Sequence, residues 1–482
     1  MRQMREKHER RNALTRPVSA MCAAHGDRRH HLATAASIAI LSLLTWWPLT
    51  PASAQQPPVD LFTAAPSSAP APLAGALGIQ PKKKGPWVLN QRSVSLIPAA
   101  LEQLASRTST ERTEVRMDLT STGLVTAELR TQQQPEKAGG PHRRVWSGKL
   151  RGHQDSDVML VTHQRTLAGS IRKGRTLYEL KPASDGSYDL VEIDVDALPS
   201  DHHPIPVSRE ELAAAETASG TPAPPTSPAV AADVGSTIDV MVVYTTAAKN
   251  ANGGQSGIEA LIDLGISLAN TAFTNSQINT QFRLVHAAEV SYAESGDYNT
   301  DLTRLRSTTD GFMDEVHGWR NTHKADLVAL IEDNLGGACG VAYVMTNVST
   351  SFAGWAFSVT QDSCVSSYTL AHELGHNMGS QHDRAEGGTG AYPYSFGHKE
   401  PGKFRTIMAY PCSPGCSRIN HFSNPNVLYQ GTWATGVDHN VDTANSADNA
   451  RAFGNALNTI ANFRNSGDTT PPPAPTNLRI LP

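Results

Sequence analysis

The chain has 482 residues, of which 39% are hydrophobic and 18% are charged, and its formal net charge at pH 7 is −4. This composition is typical of a globular protein and leaves room for two or three domains. The small net charge and the lack of helicase, phosphate-loop or base-stacking motifs argue against nucleic acid or an anionic membrane as a partner.

The first 54 residues have the order of a secretory signal peptide. The basic pair Arg28-Arg29 precedes an apolar stretch over residues 33–49, and the small residues Ala52-Ser53-Ala54 follow as a cleavage site. The alternative is a membrane anchor, but the apolar stretch is short for a span and ends among prolines. The sequence therefore predicts export to the outside or the periplasm, without a stable membrane anchor.

Residues 55–211 are predicted to contain a small, mainly antiparallel β domain. Its first part, up to residue 90, is rich in Pro, Ala and Ser and is expected to be poorly ordered. Beyond it, apolar and polar residues alternate, and Asp185-Gly186 has the chemistry of a hairpin turn. The Asp201-His202-His203 run is expected in an exposed loop rather than in a metal site. Residues 212–234 have the composition of a linker.

Strand-like and helix-like patterns are mixed over residues 235–465. The predicted strands are residues 238–244, 281–290, 326–331, 340–344 and 357–360, and the predicted helices are residues 256–275, 301–305, 311–321 and 445–463. Residues 466–482 form a Pro-rich tail.

Residues 372–383 follow the pattern H-E-x-x-H-x-x-G-x-x-H-D. His372 and His376 are four residues apart, so on a helix both imidazoles lie on one face and can bind one metal ion. Gly379 allows the chain to leave the helix in a left-handed conformation and to return with His382 as a third ligand. Three protein ligands leave a fourth position open, which is typical of catalytic zinc.

Glu373 follows the first ligand and is expected to act as the general base on the attacking water. The alternative for the whole pattern is an amphipathic helix with exposed histidines. The apolar stripe of Leu370, Leu374 and Met378 favours instead a helix with one buried side and one side that faces a cleft.

This motif resembles that of the metzincin metallopeptidases, which also have a methionine-containing turn below the metal. Met408 in Thr406-Ile407-Met408-Ala409-Tyr410 is similar to that methionine, and Asp383 resembles the reprolysin (adamalysin) branch and its bacterial relatives. The resemblance implies an α+β or α/β catalytic domain with a twisted mixed sheet and an active-site helix. It also implies a zinc endopeptidase that binds protein or peptide substrates in extended form, along residues 340–345.

Tyr410 departs from the reprolysin pattern and is more similar to that of astacins and serralysins. Its hydroxyl could donate to the oxyanion of the tetrahedral intermediate, or it could belong to a structural hydrogen-bond network. Asp383 is expected to accept hydrogen bonds that fix the loop after the helix.

Four of the five cysteines lie near the motif, at positions 339, 364, 412 and 416. An even number in an exported domain indicates two disulfides, for which three pairings exist. A second zinc site is the alternative, although the spacing lacks a C-x-x-C pair. No calcium-binding loop is recognisable, so calcium stays an open alternative.

A β domain, a linker and a peptidase-like domain together suggest a propeptide followed by a catalytic unit. Many relatives inhibit themselves with a propeptide cysteine, but this chain has no cysteine between Cys22 and Cys339. Inhibition would therefore be steric, or would use a carboxylate or an imidazole. A folding helper or permanent accessory domain is the alternative.

The resulting hypothesis is a secreted, monomeric zinc endopeptidase made as a zymogen. The alternatives are a silent binding or adhesion protein on the same fold and a zinc hydrolase of non-peptide bonds.

Overall fold

The computed structural model describes residues 57–64, 85–107, 112–133, 143–218 and 237–466. The predicted signal peptide, most of the predicted linker and the Pro-rich tail lie outside these ranges. Within them, no helix combines the length and the apolar composition that crossing a membrane requires.

The first half of the described chain forms one ten-stranded sheet. Its spatial order is β1-β4-β5-β6-β7-β8-β9-β10-β3-β2, and only the β1/β4 pairing in this sheet is parallel among the described residues. The strands are β1 Val59–Asp60, β2 Phe62–Ala64, β3 Val88–Leu96, β4 Thr113–Leu119, β5 Gly123–Gln132, β6 Arg143–Leu150, β7 Ser156–His163, β8 Thr166–Lys173, β9 Thr176–Pro182 and β10 Tyr188–Asp194.

The short segment 59–64 contains β1 and β2, which lie at the two ends of this sheet. Its first residues pair with β4 and its last residues pair with β3, so the sheet curves round on itself. Helix α1 (Pro98–Ser106) packs Ala100 and Leu104 into the core. Every strand of the sheet contributes at least one side chain to the core, among them Val115, Leu129, Trp146, Leu160, Ile171 and Leu190. In β4 the alternation in the sequence corresponds to one buried face, whereas β7 and β8 are buried on both faces.

The predicted hairpin is present: β9 and β10 are antiparallel partners, with Pro182 opposite Tyr188. Gly186 lies between them with φ of +84°, a conformation that glycine adopts at no steric cost. The sequence thus predicted this hairpin from its turn chemistry.

The second half is built around a mixed six-stranded sheet in the order β11-β15-β16-β14-β12-β13. Its strands are β11 Ile205–Pro206, β12 Thr237–Thr245, β13 Gln281–Val290, β14 Leu327–Glu332, β15 Gly340–Val344 and β16 Phe357–Gln361. The β15/β16 pair is antiparallel, whereas β11/β15, β16/β14, β14/β12 and β12/β13 are parallel. Every residue of β14 and β16 is buried, as expected for inner strands covered on both faces.

Seven helices of the described chain follow the first sheet. They are α2 Arg209–Ala218, α3 Thr246–Ala251, α4 Gln255–Asn275, α5 Tyr298–Arg306, α6 Glu315–His323, α7 Thr369–Asn377 and α8 Asn449–Ile460. Two strand pairs, β17/β18 and β22/β23, and a three-stranded sheet, β19-β20-β21, complete the C-terminal region. These strands are β17 Gln381–Asp383, β18 Phe396–Gly397, β19 Lys399–Glu400, β20 Phe404–Arg405, β21 Ser417–Arg418, β22 Leu428–Tyr429 and β23 Trp433–Ala434. The mixed sheet and the active-site helix agree with the predicted fold class. The predicted linker at 212–234 begins inside α2.

Helix α4 lies between the two sheets. Met159, Val161 and Ala168 of the first sheet belong to the same hydrophobic cluster as the apolar residues of α4. On its other side α4 approaches α7 closely, because a Cβ on Gly265 would lie 2.7 Å from Leu370 Cδ2. The helix therefore fixes the position of α7 relative to both halves of the chain.

Candidate metal-dependent active site

Helix α7 carries the first two predicted metal ligands. His372 and His376 are fully buried, and the stripe of Leu370, Leu374 and Met378 is fully buried as well. The alternative of exposed histidines is thus excluded, and the side that was expected to face a cleft is buried as well.

Gly379 ends this helix with φ of +94°, a conformation that strains other residues. The amides of Gly379 and Ser380 donate to the carbonyls of His376 and Gly375, which closes the helix end. The chain then continues into β17, where His382 is fully buried. The turn thereby brings His382 to the face of α7 that carries the other two histidines.

The three imidazoles converge through their Nε2 atoms. The Nε2–Nε2 distances are 3.0 Å for His372–His376, 3.1 Å for His372–His382 and 3.2 Å for His376–His382. Three nitrogens bound to a tetrahedral metal at ~2.05 Å would be about 3.3 Å apart. These residues form the metal-binding group found among the described residues, and their spacing fits a single ion.

Backbone carbonyls fix the orientation of two of the rings. His372 Nδ1 donates to the carbonyl of Ile407 at 2.9 Å, and His376 Nδ1 donates to that of Ser380 at 2.7 Å. Such bonds select the tautomer that leaves the Nε2 lone pair free for a metal. His382 Nδ1 has no hydrogen-bond partner in the described part of the chain.

All three imidazoles are held neutral by burial. Burial lowers the pKa of His372 to about 4, with Asp201 opposing the shift and Arg418 adding to it. Burial and then the neighbouring imidazoles hold the pKa values of His376 and His382 well below the usual value. Neutral imidazole is the form that binds a metal.

Glu373 is fully buried, and neither carboxylate oxygen has a hydrogen-bond partner among the described residues. Burial, then the charge of Asp201, raise its pKa well above the usual value, although Arg418 opposes this. A Cβ on Gly340 would lie 2.5 Å from Glu373 Oε1, so glycine is needed where β15 passes the carboxylate. An unpartnered buried carboxylate beside three convergent imidazoles fits a water-bearing metal centre.

Met408 forms the floor beneath the helix, as the methionine turn predicts. It is fully buried, and a Cβ on Gly375 would lie 2.8 Å from its sulfur. Gly375 thus allows the sulfur to approach α7 between the two histidines of that helix.

Asp383 connects the third histidine to this turn. Its Oδ1 accepts from the Ala385 amide at 3.1 Å and its Oδ2 from the Tyr410 amide at 3.0 Å, and Lys399 pairs with Oδ1 at 2.8 Å. The expected role of Asp383, as an acceptor that fixes the loop, is confirmed.

Both disulfides lie near the site. They join Cys339 to Cys364 and Cys412 to Cys416. The first connects the start of β15 to the loop before α7, and the second closes a loop after the methionine turn. This pairing is one of the three that the sequence left open, and it leaves no cysteine of this group for a second metal site.

A segment from the N-terminal half covers the site, and we call residues 200–207 the covering segment. The Cys339 amide donates to the Ser200 carbonyl at 3.1 Å, and the His202 amide donates to the Gly340 carbonyl at 2.8 Å. Its strand β11 then pairs with β15. The covering segment therefore occupies the edge of the mixed sheet that the sequence suggested for a bound peptide.

His203 is exposed and His202 is half-buried in irregular backbone, as expected for a loop, but the neighbouring Asp201 is only 7% exposed. Its Oδ1 accepts from Thr369 Oγ1 at 2.9 Å, and its Oδ2 accepts from Arg418 Nη2 at 2.7 Å. These partners are 168 and 217 residues away in the chain. No local pattern could have revealed such a contact, so sequence reasoning did not single out Thr369 or Arg418.

Tyr410 also contacts the covering segment. Its hydroxyl donates to the Asp201 carbonyl at 2.5 Å, and its ring centroid lies 4.0 Å from that of His382. The ring of His203 lies 5.3 Å from that of His382, also between centroids. The tyrosine hydroxyl is therefore near the metal-binding group, and in this form of the chain it is engaged by a backbone carbonyl.

Comparison with known proteins agrees with this geometry. A family profile described as metallopeptidase family M12, of the reprolysin type, matches residues 234–423. A peptidyl-Asp metalloendopeptidase of Stenotrophomonas maltophilia (strain R551-3) is 34% identical over an alignment of 415 residues that covers 78% of this chain and 92% of that protein. The chain belongs to the M12 metallopeptidases. It is a metalloendopeptidase, and the alternative of a catalytically silent protein is set aside.

Two further similarities accompany these. A peptidyl-Asp metalloendopeptidase of Xanthomonas campestris pv. campestris is 35% identical over 320 residues, or 64% of this chain and 70% of that protein. The crystal structure of metalloproteinase-II from Bacteroides fragilis is 15% identical, with a TM-score of 0.37, and covers 59% of this chain and 85% of that one. A TM-score at this level does not establish a shared fold, so the family assignment stands on the sequence relatives.

Proposed function

We propose that this M12 metallopeptidase is a secreted zinc endopeptidase, made as a zymogen, that selects peptide bonds at aspartate. The proposed endopeptidase chemistry is supported mainly by one observation, the convergence of three neutral imidazoles beside the unpartnered carboxylate of Glu373. This arrangement fits a metal ion that carries a water molecule.

His372, His376 and His382 would hold the metal. Three neutral imidazoles at tetrahedral spacing favour Zn²⁺. When bound, zinc would supply a Lewis acid for the scissile carbonyl and would make the attacking water more acidic. The carbonyls of Ile407 and Ser380 keep two of the rings in the required orientation.

Glu373 would take the proton of the attacking water and transfer it to the leaving amine. The carboxylate has no competing protein partner among the described residues, so it is available to the water. Its burial favours proton acceptance, because the charged form is poorly solvated there.

The edge strand β15 would bind the substrate. It is hydrogen-bonded to β16 on one side, and on the other it already pairs with two residues of the covering segment. An extended peptide could take the same place by strand addition. The Tyr410 hydroxyl would then no longer bond to the Asp201 carbonyl and would instead donate to the oxyanion of the tetrahedral intermediate.

The covering segment would keep the zymogen inactive by occupying this edge. This proposal is supported by the contacts that successive parts of the covering segment make beside the active site, at Ser200, Asp201, His202 and β11. The Asp201 carboxylate lies 3.6 Å from Nδ1 of His372, the nitrogen that faces away from the other two rings. Inhibition would therefore act by obstruction rather than by a propeptide ligand on the metal.

The proposed organisation is a signal peptide over residues 1–54, a propeptide over 55–211, a linker over 212–234, a catalytic domain over 235–465 and a tail over 466–482. Two disulfides suit an oxidising compartment and thus support export. We propose a monomer as the active form. The aspartate preference is proposed because relatives at 34% and 35% identity are named peptidyl-Asp metalloendopeptidases.

One experiment tests the proposal as a whole. The full chain is expressed with export, and the secreted product is analysed by intact mass spectrometry, elemental analysis and digestion of a peptide library. We expect loss of the signal peptide and propeptide, one zinc per chain, and cleavage at aspartate. Active material without stoichiometric zinc would contradict the metal assignment, and an active chain that retains the covering segment would contradict the zymogen.

A further inference from the structure

We propose that Thr369 and Arg418, with Arg405 beside them, form the pocket that receives the aspartate side chain of a substrate. Asp201 occupies this pocket in the intact chain as an internal copy of that side chain. The inference rests on the proposed aspartate preference and assigns it to named residues.

Both oxygens of the Asp201 carboxylate are bound. Thr369 Oγ1 donates to one at 2.9 Å and Arg418 Nη2 donates to the other at 2.7 Å. The side chains of Asp201 and Arg418 are 6% and 7% exposed. A buried carboxylate with a charge-assisted bond on one oxygen and a hydroxyl on the other is in a site that matches an aspartate in charge and size.

Arg418 is held in place without the help of Asp201. Its Nε and Nη2 donate to the Ile407 carbonyl at 3.1 and 2.7 Å, and its Nη1 donates to the Ser367 carbonyl at 3.1 Å. In the described part of the chain, Asp201 is the carboxylate that forms an ion pair with Arg418. Release of the covering segment would therefore leave a fixed, buried guanidinium without a counter-ion, which is costly until another carboxylate enters.

Arg405 adds a second positive charge, because it lines the same cavity as Asp201 and Arg418. It is 5% exposed, its Nη1 donates to the Ala409 carbonyl at 2.7 Å, and its Nε has no partner among the described residues. Burial, followed by the charge of Arg418, lowers the pKa of Arg405 to about 9. Two adjacent buried arginines disfavour each other and favour an acidic side chain between them.

The pocket lies next to the metal ligands but on the far side of one of them. Asp201 Oδ2 is 3.6 Å from His372 Nδ1, whereas the metal-binding atom of His372 is Nε2. A peptide whose aspartate enters the pocket would thus have its backbone beside the triad. The Asp201 carbonyl shows this placement, because it accepts from the Tyr410 hydroxyl at 2.5 Å.

The chemistry discriminates aspartate from asparagine. A guanidinium only donates, so it gains a charge-assisted bond from a carboxylate and only a weaker bond from an amide oxygen. The amide of asparagine would also place two donors against a cationic pocket. Selectivity for the charged side chain follows from the buried arginines rather than from pocket size.

The first test uses the secreted, processed enzyme and two peptides that differ only in one central residue, Asp or Asn. The measured quantity is the ratio of kcat/KM for the Asp peptide to that for the Asn peptide, with mass spectrometry locating the cut. We expect Arg418→Gln to lower this ratio by about 30-fold or more, as for loss of one partner of a buried charge pair. Arg418→Lys, which keeps the charge, should recover part of the preference.

Arg451→Gln is the matched control, because Arg451 is an exposed arginine on α8 outside the pocket. Its ratio should equal that of the parent. A parent-like ratio in Arg418→Gln would overturn the pocket assignment while leaving the peptidase function intact. An active parent without aspartate preference would overturn the pocket too, whereas a zinc-loaded parent that cleaves no peptide would instead contradict the proposed function.

A second test needs no substitution in the enzyme, so it holds even if the Arg418 variants fold poorly. A synthetic peptide with the sequence of residues 198–207 is compared with the same peptide carrying Asp201→Asn, as inhibitors of the processed parent enzyme. We expect the Asp peptide to inhibit at about tenfold lower concentration or better. Equal inhibition by the two peptides would overturn the claim that Asp201 copies a substrate side chain.

Discussion

The metal-binding triad and the aspartate pocket lie side by side, but they are assembled in different ways. His372, His376 and His382 lie within eleven consecutive residues, and a helix and a glycine turn suffice to bring them together. The pocket combines Thr369 and Arg418 with Asp201, which is separated from them by 168 and 217 residues. The residues proposed for the reaction are therefore encoded locally, whereas the proposed selectivity and control depend on contacts between distant parts of the chain.

The largest expected effect concerns the metal-binding triad, whose residues are close together in the sequence. Removal of the metal with a chelator should abolish peptide hydrolysis, because the Lewis acid supplies much of the catalytic charge stabilisation. Addition of Zn²⁺ should restore activity in the parent. Added Zn²⁺ should not restore activity in His376→Ala, because only two protein ligands remain in that variant. Hydrolysis by the parent that persists after chelator treatment would contradict the proposal that the reaction depends on a metal at the triad.

Glu373→Gln should lower kcat by roughly 10²- to 10⁴-fold, the usual contribution of a general base. The glutamine is nearly isosteric and is not a metal ligand, so the zinc content by elemental analysis should equal that of the parent. Casein hydrolysis at the parental rate, in metal-loaded Glu373→Gln protein, would contradict the assigned role.

The next effect tests a long-range contact, at the interface between the first sheet and α4. His163 of β7 lies 2.8 Å from Asp263 and 2.9 Å from Glu259, and Arg143 of β6 also pairs with Asp263. Burial opposes protonation, but hydrogen bonds and charge from both acids raise the pKa of His163 to about 9.

Because this pKa is raised above the ordinary 6.5, the contribution to stability is complete below pH 6.5 and is lost as the pH rises through about 9. The free energy of unfolding of the parent should therefore fall by up to about 3 kcal/mol more than that of His163→Gln between pH 6 and 9.5. Urea denaturation of the intact chain at both pH values measures this. Equal losses in the two proteins would show that the histidine does not hold the two regions together.

The smallest expected effect is at Tyr410, where the two regions meet. Tyr410→Phe removes only the hydroxyl, which bonds to Asp201 in the covered form. In the processed enzyme, kcat should fall by about 10- to 100-fold if the hydroxyl donates to the oxyanion, toward the lower end of known effects. An unchanged kcat would leave the tyrosine with a structural role alone.

Much of the fold was accessible from the sequence. The strand predicted at residues 281–290 has those bounds in the structure, and the predicted helix at 256–275 is α4, Gln255–Asn275. Long, strongly periodic segments are predictable because burial of one face repeats along the element. The burial of Asp201 was not predictable, because nothing local distinguishes a residue in an exposed loop from one bound against a distant part of the chain.

The sequence by itself determined the candidate ligands, the candidate general base and the turn that brings the ligands together, because helix periodicity and a left-handed glycine act within a few residues of one another. Only the tertiary structure decided that Asp201 lies against Arg418 and Thr369, and that β11 lies on β15. Those contacts depend on how two sheets pack around α4, and packing between distant segments leaves no periodic trace in either of them.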